Sequence, residues 1–197
     1  MALIVQILLR LENKGSSLAE KIILGMDPGT SVMGYGIIVV KGQETRLLQY
    51  GVIHLSKYVS HELKLKKIFE RVIGLIDDFE PDEVALEAPF YGKNVQSMLK
   101  LGRAQGVAMA AALSREIPIT EYAPKKVKQS VTGNGNASKE QVANMLQSIL
   151  KCALEPKLFD ASDAVAVALC HHYNATSPTS KTKSWKAFIS DNPGRIM

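Results

Sequence analysis

Four carboxylates stand at places where a sheet and a helix would bring them together. Asp27 ends the apolar run "IILGM" and is followed by Pro28-Gly29, and Glu87 repeats the arrangement at the end of "VALEA". Both side chains therefore emerge where a strand stops, the edge at which α/β sheets place their sites. Asp160 and Asp163 open the apolar stretch "FDASDAVAVALCHHY" (159–173); at i and i+3 they share one face of the first helical turn. Singly, each acid has an ordinary use. Asp27 or Glu87 can cap a turn, Asp160 can serve as an N-cap and Asp163 can complement the helix dipole. Jointly they point elsewhere, because convergent carboxylates in a partly desolvated site repel one another unless a cation compensates. With no clustered His or Cys, the donor set is hard oxygen, which favours Mg²⁺ or Mn²⁺ over zinc. Two such ions roughly 3.5–4 Å apart would activate a water and stabilise a leaving 3′ oxygen in an in-line attack on a phosphodiester. His171 and His172 lie on the order of 12–14 Å farther along the same helix, too far to share that site, and are expected at the surface or at a satisfied helix C-terminus.

Basic groups flank the acids in sequence. Lys125, Lys126 and Lys128 form one cluster, and Lys93, Lys100 and Arg103 follow the Glu87 strand. A solvated face is the usual meaning of such charges, but beside a metal site they would offset phosphate charge. The glycine loop "VTGNGNASKEQV" (131–142) lacks Walker A spacing. It still offers Ser138 as an N-cap with Gln141 three residues on, and Lys139 at a helix start where a phosphate could be met. Phe90 and Tyr91, after "LEAP", could stack on an unpaired base or plug the core.

The elements that must position these groups read as three strands, "KIILGMD" (21–27), "GYGIIVVKG" (34–42) and "TRLLQYGVIHL" (45–55), in an antiparallel meander. Leu65, Ile68, Phe69, Val72, Ile73, Ile76 and Phe79 recur at helical spacing, closed by Pro81 before the strand "EVALEA". A helix over 94–116, a strand "PITEY", a basic helical turn "PKKVKQSV", a helix over 138–151 and the final helix follow. This order describes a mixed five-stranded α/β sheet with helices on both faces. Gly102, Gly106, Ala108, Ala110, Ala111 and Ala112 give the 94–116 helix a small-residue composition that suits either a dimer seam or close packing on the sheet.

The chain has 197 residues, enough for one domain with a sizeable core. Net charge is +5, a mild lean toward polyanions. Cys152 and Cys170 have no metal-ligand spacing and suit packing in a reducing cytoplasm. The run "ALIVQILL" is too short to span a bilayer and has no basic segment before it, so no membrane association is expected. The expected layout is an extension over 1–20, flexible and without chemistry, a nuclease domain over 21–174, and a flexible basic tail over 175–197 in which Trp185 and Phe188 could dock as one helical turn.

The segments "ILGMDPGTSVMGYG", "ALEAPF", "LKLGRAQGV", "VKQSVTGNGNASKEQV" and "DASDAVAVALCHH" resemble the successive motifs of the RuvC family, the bacterial Holliday junction resolvases, from about Lys21 to Tyr173. The resemblance implies a ribonuclease H-like fold and a homodimer. It also implies Mg²⁺-dependent paired nicking of a four-way DNA junction in recombination and repair, and cooperation with the RuvA and RuvB branch-migration proteins. By position, Asp27, Glu87, Asp160 and Asp163 match the family's metal-binding acids, Lys128 and Lys139 match DNA-contacting positions, and Phe90 matches an aromatic near the cut. The residues after Glu87, "APF", depart from the more familiar pattern, which bears on sequence preference at the cut. An actin-like phosphotransferase and a non-catalytic junction-binding module are the rival readings. The first needs a second comparable domain for which the chain is too short; the second would bind without nicking.

Overall fold

The computed structural model describes residues 20–89, 94–155 and 158–176. Three strands, β1 (Glu20–Asp27), β2 (Val32–Lys41) and β3 (Glu44–His54), lead into helix α1 (His61–Phe79). Then come β4 (Glu83–Glu87), α2 (Val95–Leu113), β5 (Ile119–Tyr122), α3 (Pro124–Thr132), α4 (Lys139–Leu150) and α5 (Phe159–Thr176). The sheet order is β3-β2-β1-β4-β5. The first three strands pair antiparallel, and β1–β4 and β4–β5 pair parallel. This is the mixed five-stranded, ribonuclease H-like α/β sheet. Strand β1 starts at Glu20, inside the stretch assigned to the extension, and α5 runs to Thr176, into the stretch assigned to the tail.

Strand alternation sorts the sequence onto two faces. Ile22, Leu24 and Met26 of β1, Tyr35, Ile37 and Val39 of β2, and Val84 and Leu86 of β4 bury one face against Ile68, Val72 and Ile76 of α1 and Ala104, Ala108, Ala111 and Ala112 of α2. The opposite parity, Ile23, Ile38, Val40 and Ala85, meets Val127 and Val131 of α3, Val142 and Leu146 of α4, and Val165 to Cys170 of α5. Asp27 and Glu87 share the parity of Ile23 and Ala85, so both belong to the face that carries α5.

Helix α5 is buried nearly all round from Ala161 to His172 because the sheet lies on one side and α3 and α4 on the other. It sits against backbone. A Cβ on Gly25 would lie 2.7 Å from the amide nitrogen of Ala168, and one on Gly34 would lie 2.5 Å from the carbonyl carbon of Asp160. Side chains at either position would lift the helix off the sheet.

The basic helical turn expected over "PKKVKQSV" is a nine-residue helix, α3, with Pro124 at its start and Gly133 as a left-handed C-cap at φ 77°. Proline at the first helical position has no amide to waste, and its fixed φ is already helical. Ser138 caps α4 in a reciprocal capping box with Gln141.

Candidate metal centre

The parallel register pairs Met26 with Leu86; one step on, Asp27 stands beside Glu87 at the same edge of the sheet. Across from them, the first turn of α5 presents Asp160 and Asp163. Asp27, Asp160 and Asp163 each offer a carboxylate oxygen, and the three oxygens lie within 4.8 Å of one another. Helix α5 begins at Phe159, so Asp160 lies past the N-cap position and is not the cap considered from sequence.

The electrostatics of the cluster are those of acids short of positive charge. Burial, then the charges of Glu87, Asp163 and Asp160, push the Asp27 carboxyl up to about 8, against a small opposing pull from Lys139. Burial and Asp163 likewise push Glu87 up to about 7, against Lys139 and Lys128. Lys139 Nζ donates to Asp163 Oδ2 at 2.6 Å and lies 3.7 Å from Asp160 Oδ1. Partial burial works against the Lys139 charge, but the bond to Asp163 and the charges of Asp163, Asp160 and Asp27 outweigh it and raise its pKa. An all-oxygen, partly desolvated set whose charge a single ammonium does not offset has the donor chemistry of a hard divalent cation.

The other candidates divide. Lys128 acts on Glu87 electrostatically, and its Nζ donates to the Ala137 carbonyl at 2.8 Å, tying α3 to the glycine loop. Lys125 is exposed at the start of α3, where its carbonyl would lie 3.1 Å from a Cβ on Gly135. Lys126 is exposed beside Cys170, two helical turns of α5 beyond Asp163, so the fold does not bring it to the acids. Lys100 and Arg103 are exposed on α2, across the sheet. Phe90, Tyr91 and Lys93 lie outside the described residues, as do Trp185 and Phe188.

The two histidines require a correction. They are buried under the far end of α5, with His171 only 6% exposed. Its Nδ1 is 2.9 Å from the Tyr122 hydroxyl, and its Nε2 meets Glu83, which also pairs with Lys21 at 2.6 Å. Of the two positions expected, the surface fails because α5 is enclosed along this stretch, and His171 is satisfied not by carbonyls at the helix end but by Tyr122 of β5 and Glu83 of β4. An apolar helix carrying a histidine opposite an acid that starts a strand was the available signal. The second omission was the glycine at 34, whose meaning inside an apolar strand is close backbone approach.

A ribonuclease H-like sheet with acids at adjacent strand ends and on the facing helix defines the class. The profile of the crossover junction endodeoxyribonuclease RuvC family matches residues 23–171. A crossover junction endodeoxyribonuclease RuvC from Cytophaga hutchinsonii is 60% identical over 177 residues, covering 90% of this chain and 88% of that one. One from Christiangramia forsetii is 59% identical over 180 residues, covering 90% and 94%. The structure of Thermus thermophilus RuvC in complex with Holliday junction substrate superposes with a TM-score of 0.74 at 34% identity, covering 79% of this chain and 94% of that one. The chain belongs to the RuvC family of crossover junction endodeoxyribonucleases.

Proposed function

We propose that this chain resolves four-way (Holliday) DNA junctions by paired, Mg²⁺-dependent hydrolysis of phosphodiesters during recombination and repair. The observation that carries the reading is the convergence of Asp27, Asp160 and Asp163, with Glu87 on the adjoining strand, at one undercompensated edge of the sheet. In this reading all four acids are ligands, two Mg²⁺ ions occupy each site and Mn²⁺ substitutes. The chemistry supplied by the ions is activation of the attacking water and relief of charge on the leaving 3′ oxygen. The protein's share is to hold the acids on rigid elements and to exclude bulk water beneath α5. Lys128 and Lys139, both close enough to act on Glu87, meet the backbone of the cut strand. Lys93, Lys125 and Lys126 extend the basic surface, and Phe90 stacks near the cut. The nuclease domain is taken to run from Glu20 to Thr176, the ends of β1 and α5, with residues 1–19 and 177–197 dispensable for chemistry.

Symmetric cutting needs two sites, and α2 supports a homodimer. Val95, Leu99, Gly102, Gly106, Ala110 and Leu113 are all exposed, spaced as one helical stripe, and a Cβ on Gly102 or Gly106 would meet nothing within 4 Å among the described residues. Of the small residues of α2, Ala108, Ala111 and Ala112 pack inward, whereas Gly102, Gly106 and Ala110 are left for a second copy. The reading includes cooperation with RuvA and RuvB in the cytoplasm, which family membership supports; among the described residues no helix is long and apolar enough to cross a membrane.

The test is a labelled four-way junction incubated with and without Mg²⁺. Wild type should give symmetric nicked duplexes only with metal, and Asp27→Asn should abolish nicking while sparing junction binding. Cleavage by the Asn variant would remove Asp27 from the mechanism, and equally fast cutting of linear duplex would make the protein a general nuclease.

A further inference from the structure

Lys139 stands where the acids face one another. It is the first residue of α4, and its backbone is fixed by the capping box: Ser138 Oγ accepts from the Gln141 amide at 3.2 Å and Gln141 Oε1 accepts from the Ser138 amide at 2.9 Å. Its side chain, 50% exposed, is free to swing on four methylenes, whereas the Asp163 side chain it holds is only 17% exposed. The three carboxylate oxygens within 4.8 Å of one another enclose room for one small cation between them. The ammonium, 2.6 Å from Asp163 and 3.7 Å from Asp160, already occupies the mouth of that space. A divalent ion bound by the same oxygens would take Asp163 at about 2.0–2.1 Å for Mg²⁺. A second positive charge held within about 4 Å of it would be strongly repelled in a partly desolvated pocket.

We propose that Lys139 is the pocket's built-in counter-ion, which a divalent cation displaces: the ammonium rests on Asp163 while metal is absent and turns outward when metal enters. This rests on the metal-site reading above and adds to it a rule of occupancy. The lysine and the ion compete for one acid, so loading the site also frees a cation beside it at the start of α4, where a nucleic-acid phosphate can be met. The charge of the pocket is thereby partly covered at all times, and the lysine is released only once the ion is in place.

The experiment titrates the full chain, without DNA, with Mn²⁺, reading free ion by electron paramagnetic resonance. The variants are Lys139→Met, Lys139→Gln and Asp163→Asn. Wild type should bind Mn²⁺, and Asp163→Asn should lose that binding. Both lysine variants should bind at least about threefold more tightly than wild type, the scale of one half-exposed ion pair removed as competitor. In wild type, acetylation of Lys139 by acetic anhydride, read by mass spectrometry, should rise as Mn²⁺ is added; this holds the test open should the variants fold poorly. If wild type binds no Mn²⁺, or binds it undisturbed by Asp163→Asn, the metal-site reading falls and this proposal with it. If Asp163→Asn abolishes binding but the lysine variants bind no tighter and acetylation of Lys139 is unchanged by Mn²⁺, the metal site stands and the displacement is overturned.

Discussion

Gly34→Ala tests the geometry of the site without touching an acid. Gly34 pairs with Asp27 across β1 and β2, and its face is pressed against the backbone of Asp160. An added methyl would sit 2.5 Å from the Asp160 carbonyl carbon, closer still to its oxygen, and 3.1 Å from the Ala161 amide nitrogen. Carbon atoms settle at about 3.5 Å, so the first turn of α5 must rise by roughly 1 Å. The obstacle is main chain, which no rotamer change can move. The rise falls directly on Asp160 and Asp163, separating them from Asp27 and Glu87, and a misplacement of about 1 Å at a reacting centre costs on the order of 10²-fold in rate. Overpacking should also cost about 1–3 kcal/mol of stability. Single-turnover cleavage of a labelled four-way junction in saturating Mg²⁺, held well below the variant's Tm, reads the first effect, and thermal unfolding reads the second. Junction binding should persist, because the basic side chains are unchanged. Cleavage within about threefold of wild type would refute the claim that contact between β2 and α5 sets the acids' spacing. Gly102→Ala is the contrast: its Cβ meets nothing within 4 Å among the described residues, so the single subunit should be no less stable.

In EDTA the protein should lose stability as pH rises. Asp27, raised to about 8, and Glu87, raised to about 7, keep protons in the folded state that the unfolded chain has released above about 4. The Tm should therefore fall between pH 5 and pH 8, Asp27→Asn should flatten the slope, and Mg²⁺ should restore Tm at pH 8; a Tm that climbs over this range contradicts the repulsion argument. Leu99→Asp, placed in the middle of the exposed α2 stripe, should shift sedimentation from dimer to monomer, and an unchanged dimer would move the seam elsewhere. His171→Leu strips Glu83 and Tyr122 of a buried partner and should cost about 1–3 kcal/mol in urea unfolding. It should leave cleavage per folded molecule within about twofold, since it lies about 12 Å along α5 from Asp163; a large loss of rate would tie the far end of the helix to the chemistry.

Legibility in the sequence followed the range of the forces involved. Strand and helix identities were readable because alternation and helical spacing are local, and Asp27 and Glu87 stood out because each interrupts an apolar pattern at a turn. The meeting of those acids with Asp160 and Asp163 depends on register and on how closely α5 approaches the sheet, both of which are long-range. What fixes that approach is an absence, the missing Cβ at Gly25 and Gly34, and a missing atom has no hydropathy. The surroundings of the histidines are hidden for a related reason. The sequence places them along α5, but whether the outer side of that helix is solvent or protein depends on the packing of α3 and α4, which is long-range. Among the lysines, charge alone did not separate Lys139, which meets the acids, from Lys126, which the helical phase of α3 sends toward Cys170.

The placement of the acids makes cation binding and helix docking one equilibrium. Two of the four ride on α5, and the other two on strands of the sheet that α5 must touch. Without a cation the like charges oppose the docking of α5 at the end that carries Asp160 and Asp163, while the apolar remainder from Val165 to Cys170 holds it down. The pKa values of Asp27 and Glu87 are raised first by burial and then by that opposition, and protonation is the pocket's other means of relief. Whatever binds all four acids removes the repulsion between the first turn of α5 and the ends of β1 and β4, so binding favours the docked helix and stabilises the fold with it. The close glycine contact then has a second consequence: a helix resting on backbone has no compressible side-chain layer beneath it, and the spacing an ion meets is set before the ion arrives.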